Sequence, residues 1–296
     1  MGFLKTLFTG HTVDPEATAR KEQENRFDLF KFDGIKAMRT GQIDYAIACF
    51  EHALAIQDDM TTRRYYAQAL LSSGTTDKAL EQLEHIMEMD STDTHNMLLL
   101  SELYYQTENY DKAESYTTMA RERDSTLALP HYIMAKIHRA KKDPINAIAQ
   151  VTQAIMKKED YYEAYYLRAQ ILYDMGQWAE AEKDIDITIE HMEESSTDEI
   201  LLAKANICKA QAKLDEALGY YNQVIEFNPY VTEAYREAAG ILISQDKKAE
   251  ATEMLAEGLK MTPDEMKTIN GEYSNAPEKM KEAYNAINPY GLGVHI

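Results

Sequence analysis

The sequence predicts an all-α protein, a solenoid of about seven stacked helical pairs with a C-terminal capping helix. Three observations carry that reading. An alanine column recurs at Ala46, Ala79, Ala113, Ala147, Ala181, Ala217 and Ala251, at intervals of 33, 34, 34, 34, 36 and 34 residues, and a fixed period of this length is the mark of stacked repeat units. Twelve residues before each alanine stands a small residue: Gly34, Ala67, Ser101, Ala135, Ala169, Ala205 and Ala239. Four residues after it stand Phe50, Leu83, Thr117, Val151, Ile185, Tyr221 and Leu255, six of the seven bulky and apolar. Finally, 12 glycines and 7 prolines in 296 residues are too few for a turn-rich all-β fold.

Helix-on-helix packing explains the columns. Two antiparallel helices approach to about 8 Å only where the touching residues are small. The first small column therefore belongs to one helix, the alanine column to the next, and the bulky column fills the space beside them. Gly41, Gly74 and Gly176 mark the turn between the two helices, where glycine tolerates a helix-ending conformation. The units are placed at 27–59, 60–93, 94–127, 128–161, 162–195, 198–231 and 232–265, within one continuous solenoid over 27–265. Residues 1–26 form a lead-in helix and an N-terminal segment whose apolar residues, Phe3, Leu4, Leu7 and Phe8, are interrupted by Lys5 and Thr6. That core is too short for a secretory signal, and the segment is expected to dock on the first helices. Gly2 with Thr6 matches the loose myristoylation pattern. Glu194-Ser195-Ser196-Thr197 lengthens one connection and is the expected break in the stacking. Residues 266–296 are expected to be a capping helix, with Pro277 able to open its last segment, followed by a turn-rich tail.

Composition narrows the function. Fifty acidic residues against 31 basic ones leave a net charge of −19, which repels rather than neutralises nucleic-acid or membrane phosphates. No run of 18 apolar residues exists, so no membrane insertion is expected. Two cysteines, Cys49 and Cys208, fit a reducing, cytoplasmic compartment. The charge is uneven: residues 162–197 carry nine acids and two bases, residues 128–161 six bases and three acids.

Catalytic patterns are lacking. There is no glycine-rich phosphate loop, no Gly-x-Ser-x-Gly elbow and no His-Glu-x-x-His. His131 and His138 lie seven apart on one predicted helix, but a metal site needs three or four convergent ligands, so both are assigned to the core. Trp178, beside a turn, is likewise assigned to packing. The expectation is a protein that is not an enzyme and has no cofactor and no metal.

The 34-residue helix-turn-helix unit resembles the tetratricopeptide repeat (TPR). The fifth unit is the fullest match, with Tyr165, Leu167, Ala169 and Leu172 leading to Gly-Gln-Trp-Ala-Glu-Ala from Gly176 to Ala181; the sixth runs Leu-Asp-Glu-Ala-Leu-Gly-Tyr-Tyr from Leu214 to Phe-Asn-Pro at Pro229, and the seventh closes at Pro263. Units one to five lack the terminal proline, and Thr117 stands where an aromatic is usual. The resemblance implies a right-handed superhelix that holds a peptide or protein partner in a concave groove lined by each unit's first helix. Positions two, five, nine and twelve of a unit share one helical face. They supply Lys31 and Ile35; Arg64 and Gln68; Leu98, Glu102 and Tyr105; Tyr132, Lys136 and Arg139; Glu163, Tyr166, Gln170 and Tyr173; then Asn206, Lys209 and Arg236. Arg64, Gln68, Tyr105, Tyr132, Lys136, Arg139, Tyr166, Gln170, Tyr173 and Asn206 are the candidate partner-binding residues, since tyrosine and arginine give recognition surfaces area and a hydrogen-bonding tip. The positions that clamp chaperone C-termini in related repeats hold Lys31, Ile35, Tyr65, His95 and Leu99 here, and only Lys31 agrees. The expected function is a protein-interaction adaptor. The alternatives are a scaffold that self-assembles through apolar ends and a helical-repeat nucleic-acid binder, which the net charge opposes. Oligomeric state and partner identity stay open.

Overall fold

A computed structural model describes residues 15–191, 197–260 and 289–290. Among them every regular element is an α-helix. The chain divides into two compact units, Met1–Thr126 and Leu127–Ile296.

The first unit holds α1 (Pro15–Arg39), α2 (Ile43–Ile56), α3 (Met60–Ser72), α4 (Thr76–Met89), α5 (Thr94–Gln106) and α6 (Tyr110–Arg123). Its helices pack as the pairs α1/α2, α3/α4 and α5/α6, and each pair rests on the next through α2/α3 and α4/α5. The second unit repeats the scheme with α7 (Leu129–Ala140), α8 (Pro144–Lys157), α9 (Tyr162–Asp174), α10 (Trp178–His191), α11 (Thr197–Ala210), α12 (Leu214–Phe227), α13 (Thr232–Ser244) and α14 (Lys248–Lys260). Here α7 also touches α9, and α9 touches α11, so these first helices lie side by side.

The three sequence columns are the core. All seven alanines from Ala46 to Ala251 are fully buried, and every member of the other two columns is buried as well. Thr117, the exception to the bulky column, is explained by its partner. Its Oγ1 donates to Ala113 O at 2.7 Å and pairs with the Ser101 hydroxyl, which itself reaches Ala113 O at 3.0 Å. With the Thr117 hydrogen given to Ala113 O, Thr117 Oγ1 can accept from Ser101, and the polar pair fills the place an apolar side chain would otherwise take.

Seven turns share one conformation. The residue five before each column alanine has positive φ: Gly41, Gly74 and Gly176 at 73–77°, but also Glu108, Lys142, Ala212 and Asp246 at 58–62°. Each turn is closed by a six-to-one backbone bond of the Schellman type, as in Gln42 N to Ala37 O and Gln177 N to Leu172 O, both 2.9 Å.

The break in stacking is not where the longer connection suggested. Residues 192–196 are not described, but α10 and α11 on either side of them pack within the same unit. Lys204 on α11 pins them together, donating to Glu182 at 3.0 Å and Asp186 at 2.6 Å on α10. The boundary between the two compact units lies at Thr126 and Leu127. The expectations for the apolar N-terminal segment and for the capping helix lie outside the described residues.

Candidate partner-binding site

The first helices of the second unit bury one face and present another. On α9, Ala164, Leu167 and Ile171 enter the core, which leaves Tyr166, Gln170 and Tyr173, at spacings of four and three, on a shared outer face. On α11, Leu201, Ala205 and Cys208 are buried, leaving Glu199, Leu202, Ala203 and Asn206 toward α9. The small residues Ala169 and Ala203 keep the floor between the helices low. The result is a pocket of about 270 Å³, bounded by Arg139 from α7, by Tyr166, Gln170, Tyr173 and Asp174 from α9, and by Glu199, Leu202, Asn206 and Ile207 from α11.

Hydrogen bonds fix the polar rim. Arg139 donates through Nη1 to Gln170 Oε1 and through Nη2 to Asp174 Oδ2, the latter at 3.2 Å. Asn206 is held from behind: the Tyr221 hydroxyl donates to its Oδ1 at 2.5 Å, and its Nδ2 reaches Glu233 Oε1 at 3.5 Å. Burial pushes the Tyr166 phenol up from its usual range, and the opposing pull of its Gln170 hydrogen bond does not offset that. Tyr166 therefore remains a neutral hydroxyl at physiological pH. Nothing in this group is arranged as a nucleophile with an adjacent base; the walls can make apolar contact, stack on a planar or cationic group, and exchange hydrogen bonds.

Five of the ten sequence candidates, Arg139, Tyr166, Gln170, Tyr173 and Asn206, thus converge on one pocket. Tyr132 and Lys136 do not line it. Tyr132 packs against a core cluster with its ring 5.0 Å from that of Tyr161, and the Lys136 ammonium lies 5.8 Å over the Tyr132 ring. In the first unit Arg64 pairs with Asp93 at 2.5 Å, Gln68 is exposed, and the Tyr105 ring is 5.8 Å from that of Tyr110. The sequence reading passed over Asp174, Glu199, Leu202 and Ala203. Glu199 and Leu202 occupy positions two and five of their unit, so the template pointed at them; the preference for tyrosine, arginine and amide side chains did not.

The second unit's own chain reaches the same type of surface at α13. There the Tyr290 hydroxyl donates to Arg236 O at 3.3 Å. A Cβ at Gly240 would stand 2.3 Å from that hydroxyl, so the glycine is what leaves room for the ring. Arg236 and Gly240 are positions five and nine of the seventh unit.

A possible metal cluster fails on chemistry. Glu182, Cys208 and Glu216 bring ligand atoms within 4.8 Å of one another. Lys204 and Lys213 already occupy the Glu182 carboxylate, at 3.0 and 2.7 Å, and burial pushes the Cys208 thiol up, away from the thiolate a metal needs. The two histidines sit further out than a core assignment expects: His131 and His138 are half-buried, with His131 Nδ1 2.9 Å from Gln150 Oε1, while Trp178, beside its turn, is 39% exposed. Histidine and tryptophan beside helix ends have a polar edge to satisfy, which keeps them near water. Among the described residues no helix is long and apolar enough to cross a membrane.

Residues 39–118 match the family model of anaphase-promoting complex (cyclosome) subunit 3. No curated protein matches the chain by sequence. Among solved structures, a tetratricopeptide repeat protein from Parabacteroides merdae superposes with a TM-score of 0.66 at 12% identity, covering 89% of this chain and 99% of that one. PilF of Pseudomonas aeruginosa gives 0.59 at 15% identity over 75% and 99% of the two chains. YrrB, described as a TPR protein with an unusual peptide-binding site, gives 0.53 at 20% identity over 64% and 96%. At these identities the likeness is one of fold.

Proposed function

We propose, from the premise that this chain is a tetratricopeptide-repeat protein, that it works as a non-enzymatic adaptor, holding an extended segment of a partner protein against the first helices of its second unit. The supporting observation is the convergence of Tyr166, Gln170, Tyr173, Arg139 and Asn206, from three successive first helices, on one pocket. Such a surface offers aromatic area at low entropic cost and hydrogen-bonding groups already held in place, which is what protein recognition sites concentrate. YrrB, which shares the fold, is described as carrying a peptide-binding site, and a comparable use of this chain is the simplest reading of its own pocket. A cytoplasmic location and seven repeats at the boundaries given above belong to the same proposal.

Affinity capture from the native cell tests it. The wild-type chain and a Tyr166→Ala/Tyr173→Ala variant are compared, with circular dichroism confirming that both are folded. The variant is expected to lose the principal partner. Retention of every partner by the folded variant would remove the pocket from the function.

A further inference from the structure

Resting on that reading, we propose that the pocket between α9 and α11 receives a cationic side chain, lysine or arginine, of the partner segment. At about 270 Å³ the space falls just short of the roughly 300 Å³ at which small-molecule sites begin, and suits one long side chain. The floor is apolar, made by Ala169, Leu202, Ala203 and Ile207, and matches the methylene stem that lysine and arginine bury while keeping their head groups in polar surroundings. Tyr166 and Tyr173, two turns apart on one face, add ring surfaces on which a cation is favourable.

Charge decides between a cationic and an anionic guest. Arg139, the one cationic residue lining the pocket, already donates to Gln170 and Asp174. An incoming carboxylate would find only the guanidinium hydrogens that Gln170 and Asp174 leave over, and would sit beside both Asp174 and Glu199. An incoming cation meets the reverse: Asp174 is 57% exposed with one oxygen outside its contact to Arg139, and Glu199 is exposed on the pocket wall. Two carboxylates against one engaged guanidinium line the pocket, and that balance favours a cationic guest. Charge-assisted bonds to these carboxylates would then fix the head group.

Random peptides displayed against the full chain supply the probe. Expected is enrichment of sequences with one recurrent lysine or arginine. A fluorescein-labelled synthetic copy of an enriched peptide is then compared with its analogue carrying norleucine at that position, on the wild-type chain and on Glu199→Gln. The norleucine analogue should bind about tenfold more weakly to the wild type; Glu199→Gln should weaken the cationic peptide about fivefold while changing the analogue less than about twofold. Enrichment of acidic or uncharged sequences, or equal loss for both peptides on Glu199→Gln, overturns the cationic assignment but leaves the adaptor reading standing if those peptides still fail to bind Tyr166→Ala/Tyr173→Ala. Peptides that bind that folded variant as well as the wild type, or no enrichment at all, overturn both.

Discussion

Asp184 shows how a single residue of this repeat can depend on one partner. It lies on α10, 4% exposed, and takes both arms of the Arg168 fork from α9, Nε to Oδ2 at 2.6 Å and Nη2 to Oδ1 at 2.8 Å. The two helices belong to one pair, so the bond is a tie inside a repeat. Arg168→Met keeps the aliphatic bulk but leaves a buried carboxylate without its cation, and the variant should lose about 3 kcal/mol in urea unfolding. Arg168→Met combined with Asp184→Leu should recover most of that loss, because an apolar pair needs no counter-charge. A double variant as unstable as the single one would show that the fork, not the stranded charge, sets the cost. This tie was invisible in the sequence: nothing in the spacing of the nine acids of residues 162–197 sets Asp184 apart. The alanine columns, by contrast, were legible because seven copies of one constraint add up.

Helices are joined here by shared charges as well as by apolar faces. Glu182 of α10 accepts Lys204 from α11, together with Lys213 and Gln211 from the turn that leads into α12. Burial alone would raise the Glu182 carboxyl, but the bonds from Lys213, Gln211 and Lys204 outweigh it and hold it down at about 2, below the ordinary 4.5. A carboxylate with a depressed folded-state pKa stabilises the fold above its unfolded value and loses that contribution as the pH falls through the folded one. The stability gap between the wild type and Glu182→Gln should therefore be full above about pH 4.5 and close progressively toward pH 2. Thermal melts of both proteins across that range check it; a gap that stays constant would mean that Glu182 acts by shape rather than by charge. At the scale of elements the sequence revealed the helical pairs and the three turns that carry glycine. It could not reveal that Glu108, Lys142, Ala212 and Asp246 take the same left-handed conformation, because the surrounding helices impose it on residues that adopt it far less readily than glycine.

Over the whole molecule, the repeat period told what each helical pair is but not that the chain groups into two compact units. The sequence pointed to the lengthened connection at Glu194–Thr197, since an insertion is the visible irregularity. Yet connection length constrains a chain far less than the surfaces it joins, and the α10/α11 surface is kept by the Lys204 carboxylate contacts. The candidate site was half legible for a related reason. Position in the repeat found Tyr166, Gln170, Tyr173, Arg139 and Asn206, whereas the pocket's depth comes from Ala169 and Ala203, whose smallness reads first as packing. All these residues, and the Tyr290 contact on α13, belong to the unit Leu127–Ile296. In a repeat array stability is close to a sum of units and nearest-neighbour surfaces, and this unit contains four helical pairs with their own core clusters. A chain beginning at Leu127 should accordingly fold on its own, with a cooperative melt and full helical circular dichroism. It should also bind the peptide selected on the full chain with an affinity within about threefold. A fragment that is helical but melts without cooperativity would show that the second unit takes its order from the first, and that the site cannot be separated from the complete array.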